Sequence, residues 1–267
     1  MKMLNSLISK GGTIMLLLAI SLGIQLKSTA QGGVTVYQYR RVPNDKIEEF
    51  LKRETTYWAI VAEKAMAGGN LTFWALLEKV GGYDLENSSN YLFVNTCKDI
   101  DKIGDVWNSA GTVFPNVPMD KMETNSMSTV TSMFFLEDRG WQQAANADPS
   151  KDFMYIAMVY HNTNYPDSLI SLENKYWGPF IKSAMDKNQT TQRAWGNTRI
   201  LSPSGDNIKA TTVSYDLYPN LKEALIPTWN PSTVFPEKGL SEINNIELGR
   251  RGGAIYRIVK AVSAEGM

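Results

Sequence analysis

Glu54 and Glu173 occupy the same place in a repeated segment, which reads Glu54-Thr55-Thr56-Tyr57-Trp58 and again Glu173-Asn174-Lys175-Tyr176-Trp177. Each lies within a stripe of apolar residues at helical spacing. The first stripe runs through 47, 50, 51, 57, 58, 61, 62 and 65; the second runs through Leu169, Ile170, Tyr176, Trp177, Phe180, Ile181 and Ala184. That spacing turns both carboxyls toward whatever the helices cover. A carboxylate buried there is costly unless it is paired, hydrogen-bonded or protonated, and the same burial raises its pKa toward the range useful for proton transfer. Structural networks leave the same signature, so the competing reading is a glutamate that only ties down a nearby Trp or Tyr.

His161 is the only histidine and ends an apolar β-rich run, where it could act as a general base, a haem ligand or a metal ligand. The bland alternative is a capping or surface residue. The corresponding place in the first half holds Arg40 and Arg41. Arg193, Trp195 and Arg199 fall at even spacing on one strand and so share a face, as a clamp for an anionic ligand or as a solvated edge paired with carboxylates. Tyr57, Trp74 and Tyr176 complete the candidate ligand-binding set with Arg193 and Trp195, although aromatic residues at these spacings also fill cores. With one His and one Cys there is no zinc set, and no metal site is expected. Nucleophile elbows, phosphate loops and dinucleotide fingerprints are absent from the sequence.

The elements that must position these residues come in a repeated order. In the first half, strands are expected at 34–39, 71–77, 91–96 and 129–137, with a long helix opening at Pro43-Asn44-Asp45 and a shorter one at 100–107. A polar link is expected over 138–151. In the second half, strands are expected at 153–160, 192–200, 210–215 and 254–259, with helices after Pro166 and at 221–226. Turns are expected at Gly81-Gly82 and at Pro203-Ser204-Gly205-Asp206, and Pro179 should kink its helix or end its regular part. Thr112-Val113-Phe114-Pro115 also returns, as Thr233-Val234-Phe235-Pro236, at nearly the offset of the glutamate motif. Two echoes at nearly the same offset point to a duplicated unit of one domain's length, with halves at 31–142 and 152–267 joined by 143–151.

Lys2 and Lys10, the apolar run from Thr13 to Leu26 and the small residues Ser28-Thr29-Ala30 read as an export signal cleaved before Gln31, leaving a periplasmic or secreted protein. The run is shorter than the roughly 20 residues that span a bilayer, so no lasting membrane insertion is expected. Cleavage would remove three lysines and no acid, giving a net charge of −3 with no basic cluster, which argues against nucleic acid as a partner. Cys97 stands alone, so a core and not disulfides must hold the fold; it reads as a small buried side chain.

Both halves fit β-α-β-β-α-β, and two such units can bury their open sheet faces against each other. On that order and the repeated Glu-x-x-Tyr-Trp, residues 33–262 resemble the dimeric α/β-barrel superfamily, which includes antibiotic-biosynthesis monooxygenase-like, NIPSNAP-like and stress-responsive barrel proteins. The resemblance implies an α+β fold of two tandem ferredoxin-like units packed sheet to sheet as an intramolecular barrel. The chain would thus be its own pseudo-dimer, with further homo-oligomerisation left open. It also implies a small-molecule pocket between a sheet and its helices. Some members bind haem, but with one unmatched His no cofactor is expected here. Three functions stay open: an enzyme of proton-transfer or monooxygenase type with Glu54, Glu173 and His161 as catalytic candidates, a non-catalytic binding module, or an assembly protein.

Overall fold

A computed structural model describes residues 33–81, 88–204 and 210–264. The expected export segment and parts of the expected turns at Gly82, Gly205 and Asp206 lie outside them. The first strand, β1 (Val34–Arg41), alternates as its β-branched and aromatic residues require. Thr35, Tyr37 and Tyr39 point one way, and Val36, Gln38 and Arg40 point the other. A helix follows in three parts: α1 (Ile47–Arg53), a π-helical turn over Glu54–Trp58, and α2 (Ala59–Ala67). The rest of the first half is β2 (Leu71–Lys79), β3 (Tyr91–Cys97), α3 (Ile103–Asn108), α4 (Ala110–Val113) and β4 (Thr129–Gln143).

The second half begins after the short α5 (Pro149–Asp152) and repeats the order. Its elements are β5 (Tyr155–His161), α6 (Pro166–Leu172), a π-turn over Glu173–Trp177, α7 (Gly178–Asp186), β6 (Ala194–Ser202), β7 (Thr212–Tyr218), α8 (Leu221–Leu225), α9 (Glu237–Ile246) and β8 (Arg250–Ser263).

The strands close into an antiparallel barrel in the order β1-β3-β2-β8-β5-β7-β6-β4, with β4 returning to β1. Each half supplies four neighbouring strands in the order fourth, first, third, second. The α+β class and the barrel agree with expectation. The two half-sheets are not separate layers, however; β2 pairs with β8 and β4 with β6, so both edges of each are consumed and, among the described residues, no barrel strand is left with an open edge. Corresponding strands pair in corresponding register. Gln38 faces Phe93 as Val159 faces Ser214, and Trp74 faces Asn95 as Trp195 faces Asp216. Tyr39 and Tyr160, 121 residues apart, meet inside the barrel with their hydroxyls at 2.5 Å.

Three sequence expectations need correction. The chain from Asp138 to Gln143 is not a polar link; β4 continues through it, because β6 offers a pairing partner as far as Gln143. Pro179 does not end its helix, which runs on to Asp186. It lies in the first turn of α7, where a missing N–H is tolerated, and the π-turn before it also occurs in the first half, which has no proline there. Finally, α9 has no counterpart in the sequence reading, since its short stripe of Leu240, Ile243 and Ile246 is interrupted by polar residues and Gly239.

The barrel interior is filled by Leu77, Leu92, Leu136, Met158, Val213, Tyr256 and their neighbours. A second core forms between the first-half strands and α1–α3, around Phe50, Ala62, Trp74 and Phe93, and a smaller one forms around Ile181, Met185 and Trp195. Fully burying each large apolar side chain contributes about 1.5–3 kcal/mol, so these layers fix the helices on the barrel. Cys97 is buried, as its surroundings predict.

Candidate functional site

The π-turns set the position of both glutamates. In each, an N–H reaches back five residues: Ala59 donates to the Glu54 carbonyl and Gly178 to the Glu173 carbonyl. The extra residue lets the stripe before the turn and the stripe after it both face the barrel, with the glutamate between them. Glu54 and Glu173 are only 3% and 5% exposed. Helical periodicity predicted this burial; the π-turns themselves have no distinct sequence signal.

Glu54 opens onto a cavity of about 510 Å³ between the outer face of the first-half strands and the helices. Trp58, Trp74, Phe93, Trp107 and Phe135 form its walls. Thr124 donates its hydroxyl to Glu54 Oε1 at 2.6 Å, and burial pushes the Glu54 carboxyl up to about 7 against the opposing pull of Thr124 and Arg40. Arg40 reaches the cavity from β1, packed over the Phe93 ring at 5.2 Å. Its Nε donates to Gln38 Oε1 at 2.6 Å and its Nη1 to Ser128 Oγ at 3.1 Å. Both partners are neutral, and among the described residues no carboxylate comes within 4 Å of the guanidinium. Asn95 Oδ1 is buried in the same wall without a hydrogen-bond partner. A cation, a carboxyl poised near neutrality and an unsatisfied acceptor thus face one aromatic chamber of ligand size.

The equivalent region of the second half is filled by its own side chains. Asn197 Nδ2 donates to Glu173 Oε2 at 2.9 Å and Ser214 Oγ to Oε1 at 2.8 Å. These residues replace Leu76 and Phe93 of the first half, by the shared register. His161, in the place of Arg40, is buried; its Nε2 lies 3.9 Å from Glu173 Oε1 and its Nδ1 lies 2.7 Å from Glu247 Oε1. Burial raises the Glu173 carboxyl, opposed by His161, Asn197 and Ser214. The helix α9 clamps this network: Tyr176 lies against Gly239, and Thr163 holds the carbonyl of Ile246. The first half thus holds a large cavity where the second holds a buried polar cluster, in which His161 Nε2 and Asn197 Oδ1 keep no hydrogen-bond partner among the described residues.

The remaining candidates are engaged elsewhere. Tyr57 packs edge-on against Phe114, and the Tyr176 hydroxyl donates to Glu242 Oε1 at 3.4 Å. Trp195 is buried against α7. Arg193 precedes β6 and pairs with Asp152 at 3.2 Å, while Arg199 pairs with Asp167 at 2.7 Å, so the two arginines and Trp195 do not converge as a clamp. Of the residues singled out by sequence, Glu54 and Trp74 line the large cavity. Arg40, Asn95, Trp107 and Thr124 were missed, although the alternation of β1 already placed Arg40 beside Gln38 and Val36 on one face.

The residues present do not fit a haem. No His, Cys or Tyr lines the large cavity, and His161 is enclosed between two glutamates in the other half. Among the described residues no cluster suits a metal ion.

No protein-family model and no curated protein matches the sequence. Solved structures do match in shape. A "putative monooxygenase" from Lactobacillus acidophilus NCFM superposes with a TM-score of 0.56 at 8% identity, covering 88% of this chain and 97% of its own. An anthrone oxidase-like protein gives 0.52 at 14%, with 87% and 93% covered. A second "putative monooxygenase", from Fusobacterium nucleatum, gives 0.55 at 8%, with 88% and 95% covered. At these identities the likeness is one of fold: an antiparallel α/β barrel shared along most of the chain.

Proposed function

We propose that this chain is an exported enzyme, built of two tandem ferredoxin-like units at 31–142 and 152–267 joined by 143–151, and that its first-half cavity carries out proton transfer on a small, flat aromatic molecule. The observation that carries this reading is Glu54: a buried carboxyl raised to about 7 that faces an aromatic cavity beside Arg40, a cation with neutral partners. Ionised Glu54 removes a proton from an acidic C–H or O–H of the ligand. Arg40 holds the oxyanion that develops, and the aromatic walls exclude water from it. Asn95 Oδ1 accepts a hydrogen bond from a ligand hydroxyl.

The carbanion so formed is electron-rich enough to react with dioxygen as co-substrate. Oxygen adds to the carbon, the peroxide takes a proton from Glu54, and loss of water turns a CH₂ into a C=O. That outcome accords with the names of the two monooxygenase-like and one oxidase-like structures that share the fold. The Glu173 network has no cavity of this kind and serves structure.

Anthrone, a flat ketone with an acidic CH₂, is a direct probe. The wild-type chain should accelerate exchange of that CH₂ in D₂O and consume oxygen. Glu54→Gln should lose both by at least about 100-fold, a general-base contribution. Unchanged exchange in Glu54→Gln would remove Glu54 from the chemistry.

A further inference from the structure

The barrel interior holds a second cavity, of about 440 Å³, on the opposite side of the sheet from Glu54. Asp138 faces it. Along β4, Phe134, Leu136 and Asp138 follow one another inward, and the register shift between Asp138 and Gly140 then turns Trp141 into the same chamber. Thr35 Oγ1 donates to Asp138 Oδ2 at 2.7 Å, and among the described residues no Lys, Arg or His lies within 4 Å of this carboxylate. Burial raises its pKa, and the adjacent Glu137 adds to that.

The surroundings are aromatic and oxygen-bearing. Trp141 meets Phe153 edge-on at 6.0 Å and Tyr215 at 6.1 Å. The Tyr215 ring can lie there because its cross-strand neighbour is Gly196, where a Cβ would come within 2.5 Å of the ring. Tyr37 and Tyr215 both lie close enough to Asp138 for its charge to raise their pKa values further above what burial alone does. Neither hydroxyl bonds to another side chain among the described residues. The chamber reaches the exposed side chain of Gln143.

We propose that this chamber is a second ligand site, independent of Glu54, that binds a primary ammonium carried on a small aromatic body, an arylalkylamine. A carboxylate partly withdrawn from water without a cation is costly, and a bound ammonium supplies that cation. Aromatic faces attract cations and repel anions. One carboxylate oxygen and two phenolic oxygens match the three N–H donors of a primary ammonium. The volume lies within the range of small-molecule sites.

Binding of 2-phenylethylamine and of its neutral counterpart 2-phenylethanol, followed by calorimetry and tryptophan fluorescence, tests this. The amine should bind at least 10-fold more tightly than the alcohol. Asp138→Asn, which keeps the shape and an acceptor for Thr35, should abolish that preference, while Glu54→Gln should leave it unchanged. Should Asp138→Asn fail to fold, Tyr215→Phe takes its place and should weaken the amine several-fold with the alcohol unaffected. Equal binding of amine and alcohol, no amine binding, preference retained in the folded variants, or loss of amine binding in Glu54→Gln would each overturn the proposal.

Discussion

At the scale of single residues, the two glutamates of one motif differ in their neighbours. Glu54 has one neutral donor, Thr124, whereas Glu173 has two, Asn197 and Ser214, with His161 beyond them. Burial raises both carboxyls, and for Glu54 the rise has a cost. A carboxyl raised in the folded state contributes fully below its unfolded value near 4.5, and that contribution is lost as pH rises through about 7. The difference is worth about 3 kcal/mol. Thermal melts should show the wild type losing stability between pH 5 and 8, with Glu54→Gln losing less and becoming the more stable of the two at pH 8. Over the same range turnover should rise, because the base must be ionised. A parallel fall in both proteins would contradict the assignment. In the other half, Asn197→Ala leaves Glu173 short of a donor and should cost about 1–3 kcal/mol in urea unfolding, with turnover unchanged. Both buried carboxyls were legible from helical period alone. Their difference was not, because it depends on Leu76 against Asn197 and Phe93 against Ser214, pairs that become equivalent only once strand register is known.

At the scale of elements, the segment after the Thr-Val-Phe-Pro echo decides which cavity stays open. In the first half it forms short turns that bring Thr124 to Glu54 and leave space. In the second it forms α9, which carries Glu247 to His161 and lies on the π-turn through Gly239. A methyl at that glycine would come within 2.4 Å of Tyr176 Cβ, so one element must move. Gly239→Ala should lower stability by about 1–3 kcal/mol, the usual cost of overpacking, and raise hydrogen exchange in α9. A neutral melt with unchanged exchange would show that α9 does not pack as tightly as described. The sequence disclosed both echoes but not α9, whose stripe is too short to stand out. It also ended β4 early, because Asp138 to Gln143 is polar; tertiary pairing with β6 overrides that local composition.

At the scale of the molecule, a barrel closed from two similar halves can keep one cavity for a ligand and fill the other with its own side chains. The repeated order of elements made the barrel readable, since two amphipathic sheets in one chain have few other ways to bury their faces. The closure through β2–β8 and β4–β6 was not readable, because strand pairing between halves leaves no local pattern. The proposed division of labour rests on one carboxyl being poised for proton transfer in the open cavity. Side-chain ¹³C NMR titration of the glutamate carboxyls, with Glu54→Gln to assign the signal, measures this directly. The expected result is a Glu54 carboxyl titrating at about 7 and shifting when anthrone is added. A Glu54 signal titrating near 4.5, or one untouched by anthrone while Glu173 responds, would contradict it.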